Sequence, residues 1–368
     1  MTDEPPGAER PGRRPRYRGT HPRAFSEKYK ERDAARYPEE RTKILLSGRT
    51  PAGSHVAVLV REVLEALDPK AGDLAVDATL GFGGHASELL KRILPGGRLL
   101  ALDVDPIEVS KAFARLEVLA AALGAAGAVK AVRRNFAGLR KLLDEEGLAH
   151  GADVILADLG ASSMQLDDPA RGFSWKRDAV LDLRMNPARG QPAGSLLLRM
   201  KREEIEDFLR RYGDEPEAAG IAEALAATIE ARRGESPIHL LRTTDVTRAV
   251  ESVYEGQTSH HASEAKKSSL QRTFQAIRIL VNDELTALAA FLRDLPFCLA
   301  PGGRVAILTF HSGEDRLVKK AFRAGLDDGR YARVADEVVH ATPEERSRNP
   351  RSSSAKLRWA VRARPGLT

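Results

Sequence analysis

The sequence predicts an α/β fold, a doubly wound parallel sheet with a helical domain inserted between its fourth and fifth strands. Three observations carry that expectation. Apolar and amphipathic runs alternate between about residues 74 and 158, the rhythm of successive βαβ units. The first apolar run ends in a glycine-rich turn, Gly81-Phe82-Gly83-Gly84-His85, that opens the next helix. Two later runs, Leu99-Leu100-Ala101-Leu102-Asp103 and Val154-Ile155-Leu156-Ala157-Asp158, each finish in an acid. Three such strand ends on one sheet edge describe a pocket for a nucleotide-type cofactor.

The elements follow in order. Val56, Leu59, Val63, Leu64 and Leu67 recur at helical spacing, and Asp68-Pro69 with Gly72 ends that helix. Strand 74–78, helix 84–94, strand 98–103, helix 106–123, strand 129–133, helix 136–147 and strand 153–158 come next. Asp105-Pro106 reads as the cap of helix 106–123. After Ser163 the rhythm breaks: 165–195 is loop-like, 195–255 is helical without a strand pattern, and 257–269 is polar and expected to be mobile. A long helix covers about 270–295. The sheet resumes over 303–310, after the turn Pro301-Gly302, and two last strands fit 331–340 and 355–363. The expected organisation is a disordered basic arm (1–48), a discontinuous sheet domain (49–164 and 270–368) and an inserted, mostly helical domain (165–269).

Composition narrows the class. With 368 residues, 42% apolar, the chain can bury a large core, and no apolar run approaches a membrane span. The start, Met1-Thr2-Asp3-Glu4-Pro5-Pro6, has no apolar signal core, so a cytoplasmic location is expected. The one cysteine, Cys298, sits among apolar neighbours and reads as a buried structural thiol. The net charge of +6 fits either a solvated surface or a polyanionic partner such as RNA. Much of the excess lies in the arm, in runs like Arg13-Arg14-Pro15-Arg16. No G-x-x-x-x-G-K-[ST] loop is present, which argues against nucleotide triphosphate hydrolysis. His85 lacks partner ligands, and His260-His261 stands without cysteines, so no metal is expected.

The site residues leave alternatives. Gly81 to Ala86 satisfies the permissive G-x-G-x-x-A pattern, so a nicotinamide dehydrogenase is a rival, and Asp103 would accept ribose hydroxyls under either reading. The fourth strand end, Asp158-Leu159-Gly160-Ala161-Ser162-Ser163, favours methyl transfer, because polar groups there can hold an acceptor amine. Arg171-Gly172-Phe173-Ser174-Trp175-Lys176-Arg177 interleaves aromatics with cations. Such a loop can stack an unpaired base, or merely anchor itself to the insertion. A noncatalytic RNA-binding assembly factor would share the same basic balance.

From His55 to about Arg362 the chain resembles the 16S ribosomal RNA cytosine-N4 methyltransferase family (the MraW/RsmH type). The blocks include the Gly-Gly-His turn, Asn135-Phe136, Asp158-Leu159-Gly160 with Ser162-Ser163 and Gln165-Leu166-Asp167-Asp168, and Arg171-Gly172-Phe173-Ser174. Leu181-Asp182-Leu183-Arg184-Met185, Arg272 to Arg278, Val281 to Leu285, Phe310-His311-Ser312 and Asn349-Pro350-Arg351-Ser352 complete them. The resemblance implies a Rossmann-like, class I SAM-dependent methyltransferase sheet, S-adenosylmethionine as donor, and a decoding-centre cytosine of 16S rRNA as acceptor, within the small ribosomal subunit. It implies cofactor contacts at Gly83, Gly84, His85, Asp103, Phe136, Asp158 and Gln165; Phe136 and Gln165 rest on it alone. The expected catalytic group is Asp158, with it or a nearby backbone carbonyl as the acceptor of an amino hydrogen and Ser162 and Ser163 orienting the base. Phe173, Trp175, Arg184, Arg278, Asn282, His311, Arg351 and Lys356 are the candidates for RNA contact, several of them equally suited to anchoring loops. Ala57, Met164, Asn186 and Gly313 depart from the family pattern, and the basic arm is extra to it. The oligomeric state stays open, a homodimer included.

Overall fold

The computed structural model describes residues 57–232 and 241–364; the basic arm, His55 and Val56 lie outside them. Among the described residues the first helix, α1 (Val60–Leu67), precedes strand β1 (Leu74–Asp77). Then come α2 (Gly84–Ile93), β2 (Arg98–Asp103), α3 (Pro106–Ala122), β3 (Val129–Arg133), α4 (Leu139–Glu145) and β4 (Ala152–Asp158). The insertion holds α5 (Ser163–Asp167), α6 (Ala193–Leu197), α7 (Arg202–Gly213), α8 (Ala218–Ala231) and α9 (Thr243–Val253). It runs into α10 (His260–Asn282) and α11 (Glu284–Cys298). The sheet closes with β5 (Leu299–Thr309), α12 (Ser312–Asp327), β6 (Tyr331–Val334), β7 (Val339–His340), α13 (Pro343–Arg348) and β8 (Lys356–Arg362).

The strands form one sheet in the order 3-2-1-4-5-8-6, with β7 beside β8. Strands β1 to β5 are mutually parallel, and β8 is antiparallel to β5. Strand order reverses between β1 and β4. The chain therefore leaves these neighbours toward opposite faces and opens a crevice beyond their carboxyl ends. Asp77, Asp103 and Asp158 all end strands there.

Both sheet faces are covered, which is why the strands read as nearly continuous apolar runs. One face packs Val76, Leu102, Ile155 and Ile307 against Leu139, Phe291, Leu295 and Val318. The other packs Ala75, Ala101, Leu156 and Leu308 against Val63, Leu89, Leu90 and Leu116. A third core joins Leu181, Leu197, Phe208, Ile221, Leu225 and Val250 to Leu270, Phe274 and Ile277 of α10. Cys298 is buried, and that burial pushes its thiol pKa to about 12, as befits a structural thiol.

Several sequence expectations are corrected. The polar stretch 257–269 is not a mobile loop but the start of α10, capped by Ser259, whose Oγ accepts from the Ala262 N–H at 3.1 Å. Its first turns bury little beyond Ala262, so helical periodicity was invisible there. The long helix over 270–295 is two helices, because Asp283 takes the left-handed conformation (φ 51°) and redirects the chain. Aspartate tolerates that region better than most residues. Segment 165–195 contains two short helices, and the strand over 331–340 is two, β6 and β7.

Phe291 links this frame to the crevice. It is buried, and Phe136 meets it edge to face at 5.3 Å between ring centroids. Phe291→Ala should cost about 3–5 kcal/mol of stability and leave Phe136 without its support. Urea unfolding reads the first effect; an unchanged midpoint would mean that the ring is not a core element.

Candidate active site

The glycine turn is built by backbone necessity. Leu80 N–H donates to the Leu102 carbonyl and Gly83 N–H to the Leu80 carbonyl, both at 2.7 Å. Gly83 caps α2 at φ 87°, where a side chain would be strained. A Cβ on Gly84 would stand 3.1 Å from Ala57 Cβ, so the turn is closely covered. Arg115 of α3 holds the turn from outside. Its guanidinium lies 3.8 Å from the Phe82 ring centroid and donates to the Phe82 carbonyl at 2.8 Å.

The turn opens on a cavity of about 710 Å³, a volume that accommodates a cofactor and an acceptor group together. Asp103 lines it. Its Oδ2 accepts from Gly81 N–H at 2.7 Å and its Oδ1 from Asp105 N–H at 2.9 Å. Burial raises its pKa to about 6 against those two hydrogen bonds, helped by the charges of Asp105 and Glu108. Each oxygen keeps a lone pair for a hydroxyl donor.

A second acid set lies under the turn. Asp77 is buried, and burial raises its pKa to about 6 despite the charge of His85 and a hydrogen bond from Thr79 N–H. Thr79 Oγ1 in turn accepts from Asp158 N–H at 2.6 Å, tying the ends of β1 and β4 together. His85 Nε2 faces the Val58 carbonyl at 2.9 Å, and Nδ1 stands 3.5 Å from Asp158 Oδ2. A carbonyl only accepts, so Nε2 carries a proton and Nδ1 is the nitrogen that addresses Asp158. Burial works to lower the His85 pKa, but Asp158, Asp77 and the Val58 carbonyl outweigh it and raise it. Asp158 thus meets the cavity with the His85 ring behind it.

The remaining predicted residues divide. Ser162 caps α5, its Oγ accepting from Gln165 N–H at 3.3 Å. Gln165 is buried with both polar ends used: Oε1 accepts from Ser162 N–H and Nε2 donates to Asp105 Oδ2. Gly83, Phe136, Ser163, Arg184, Arg278, Asn282 and Arg351 line the cavity. Arg184 is tied to Asp182 through Nε and Nη2, each at 2.8 Å. Asn282 is a loop anchor: Oδ1 accepts from Met185 N–H, and Nδ2 donates to the Leu183 and Arg278 carbonyls. Arg351 reaches Asp167.

Four RNA candidates do not line the cavity. Phe173 is buried at 4% exposure, so it cannot stack a base. Trp175 packs on Phe274 of the insertion core, with ring centroids 5.9 Å apart. The aromatics of that loop therefore anchor it, the plainer of the two sequence readings. His311 caps α12 and is nearly buried, its Nε2 3.1 Å from Glu314 Oε1. Lys356 pairs with Asp315 at 3.5 Å.

The structure also gives residues roles that the sequence did not assign. Asp105, read only as a cap, is fully buried and receives Arg171 Nη1 at 2.8 Å besides Gln165. Arg171 then donates to the Arg184 and Met185 carbonyls. Glu284 and Glu314 line the cavity beside Arg278. Burial opposes the Glu314 charge, but His311 and Arg278 hold its pKa below the usual range.

The profile of the MraW methylase family matches residues 52–363. The chain is 44% identical over 366 residues to ribosomal RNA small subunit methyltransferase H 1 of Lachnoclostridium phytofermentans, covering 99% of this chain and 97% of that one. That alignment takes in the basic arm, so the arm is not peculiar to this chain. Against ribosomal RNA small subunit methyltransferase H of Anaeromyxobacter dehalogenans, identity is 41% over 325 residues, 84% of this chain and 98% of that one. Among solved structures, a SAM-dependent O-methyltransferase from Thermotoga maritima aligns at 10% identity and a TM-score of 0.35, over 83% of this chain and 64% of that one.

The buried acids set a pH dependence. An Asp77 pKa displaced from 3.8 to about 6 is a cost of up to about 3 kcal/mol for the ionised fold. The cost is borne in full above pH 6 and disappears below about pH 4, so this group makes the protein more stable as pH falls between them. Asp77→Asn should therefore raise stability at pH 7.5 and converge on the parent near pH 4. Urea melts across that range test it; a variant less stable at pH 7.5 would refute it.

Proposed function

The chain belongs to the MraW methylase family, and from that premise we propose that it is a S-adenosylmethionine-dependent enzyme methylating N4 of a decoding-centre cytosine in 16S rRNA. Family membership removes the dehydrogenase reading. The observation that supports catalysis over a noncatalytic binding role is Asp158: a cavity-facing carboxylate backed by His85, at the sheet edge where donor and acceptor would meet.

The residues present fit the cofactor. Gly83 and Gly84 line the cavity with backbone, Asp103 offers lone pairs to ribose hydroxyls, and half-buried Phe136 offers an apolar face to a base. His85 and Gln165 serve as supports for that wall, since their polar atoms face Val58, Asp158, Ser162 and Asp105. S-adenosylmethionine supplies an electrophilic methyl on a sulfonium. The chain's part is to present a poor nucleophile in line and to receive its proton. The cytosine amino lone pair is delocalised into the ring. An acceptor that draws an amino hydrogen out of the ring plane localises that pair, and positioning of this kind can supply about 7–11 kcal/mol in well-oriented cases. Asp158 is that acceptor, with the backbone carbonyls of the following turn as its neighbours. Ser162 and Ser163 shape the turn, and the target base must leave its stack to reach it.

The substrate side rests on the inserted domain, 165–269, read as the RNA-recognition element, with Arg184 and Arg351 at the cavity rim. The basic arm adds salt-sensitive attraction for RNA. The acceptor is the RNA within the small ribosomal subunit, which places the work in the cytoplasm; no helix among the described residues is long and apolar enough to cross a membrane.

Mass mapping of small-subunit RNA from cells with and without the protein tests the assignment: one methyl should vanish from a single decoding-centre cytosine. Asp103→Asn should weaken S-adenosylmethionine binding by ~1.5–3 kcal/mol, and equal affinity by calorimetry would remove Asp103 from the site. Asp158→Asn keeps the shape and one acceptor oxygen. It should lower the single-turnover methylation rate far more than cofactor affinity. Loss of affinity with a normal rate at saturating cofactor would make Asp158 a binding group only.

A further inference from the structure

Beyond Asp158 the acceptor turn continues to Gly160, whose backbone is left-handed (φ +99°). A Cβ built there would stand 3.8 Å from Phe310 Cδ2 and 3.8 Å from Arg278 Nη1. An aromatic ring from the end of β5 and a guanidinium nitrogen from α10 thus flank the one turn residue that has no side chain. Both residues line the cavity. We infer that Phe310 and Arg278 form the seat of the acceptor base, Phe310 stacking on its face and Arg278 Nη1 donating to its edge. The inference rests on the functional reading above and adds its specificity residues.

Both groups are held before any ligand arrives. Phe310 N–H donates to Glu314 Oε2 at 2.9 Å, and its ring packs half-buried against the sheet core. Arg278 forks onto Glu284, Nε to Oε1 at 2.8 Å and Nη2 to Oε2 at 3.0 Å. The fork consumes two nitrogens and leaves Nη1 beside Gly160. A pre-organised guanidinium loses little entropy on making its last hydrogen bond. Burying this ion pair in a cavity wall is costly unless each charge is matched, and here guanidinium and carboxylate meet through two hydrogen bonds.

The chemistry of the seat selects its occupant. Cytosine presents N3 and O2 as acceptors and its amino group as donor along one edge. A donor at Arg278 and an acceptor at Asp158 complement that edge. Uracil carries a hydrogen on N3 and no amino group, so it would set donor against donor. The seat is also separate from the cofactor's aromatic platform. Phe136 follows β3, whereas Phe310 follows β5, four strand spacings away in the sheet order. At about 4.8 Å per spacing the two strands are roughly 19 Å apart, and the two rings pack against the cores on opposite faces of the sheet.

The test is single-turnover methylation of small ribosomal subunits by Phe310→Leu, Phe310→Tyr and the parent protein. Rates are divided by the number of S-adenosylmethionine sites counted by calorimetry, so that misfolded protein drops out. Loss of a base–aromatic stack should slow Phe310→Leu by about ten- to a hundredfold, with cofactor affinity unchanged and Phe310→Tyr close to the parent. Arg278→Lys, which keeps charge but not the fork, should also slow transfer without loss of cofactor affinity. A Phe310→Leu rate equal to the parent's overturns the stacking assignment. So does a parallel loss of cofactor affinity, which would place the ring in the cofactor half. A parent protein that leaves small-subunit RNA unmethylated defeats the functional reading itself, a separate outcome visible before any variant is made.

Discussion

The cavity depends on one buried carboxylate, Asp105. It caps α3 through Ile107 N–H, accepts from Gln165 Nε2, and pairs with Arg171 Nη1, all with no exposure to solvent. Its own N–H is held by Asp103, which also holds Gly81. A single network therefore runs from the glycine turn through the end of β2 to the acceptor turn. Through Arg171 it goes on to the loop at Arg184 and Met185. A buried charge is tolerable only when fully partnered, so each of these segments is pinned by the need to satisfy this one group.

Two clusters of acids border the cavity. On the β1–β4 side, Asp77 and Asp158 share His85. On the β5 side, Glu284 and Glu314 share Arg278 and His311. In both places acids outnumber permanent cations. An electron-poor sulfonium and a developing positive charge on an amine are the species that such surroundings favour. Arg133, Arg134, Arg184, Arg189 and Arg351 also line the cavity, cations of the kind that a polyanionic partner requires.

The insertion is coupled to the sheet domain by more than the two chain crossings. Asp214, at the end of α7, accepts from Ser312 Oγ at 2.5 Å at the start of α12. Glu215, fully buried, pairs with Arg272 of α10, the helix that also carries Arg278. The Gly213-Asp214-Glu215-Pro216 stretch is therefore a joint. Gly213 lets it sit close: a Cβ there would meet the Arg272 carbonyl at 3.0 Å. The helix that presents Arg278 to the cavity is braced from the insertion side.

What the sequence by itself determined is local and periodic. The alternation of apolar runs, the glycine turn and the acids at Asp103 and Asp158 placed the strands and one edge of the cavity, because backbone preference and burial on two sheet faces write themselves into neighbouring residues. Breaks such as Asp283 were not legible, since a left-handed residue inside an apolar repeat leaves the repeat almost intact. Nor were the roles of Phe173, Trp175 and Asn282, because an aromatic or an amide has the same composition whether it meets a base or a core. Only the tertiary structure decided those, and only it brought Phe310, Arg278, Glu284 and Glu314 to Gly160. Burial and partner choice are set by residues that are distant along the chain, and a sequence read in windows does not contain them.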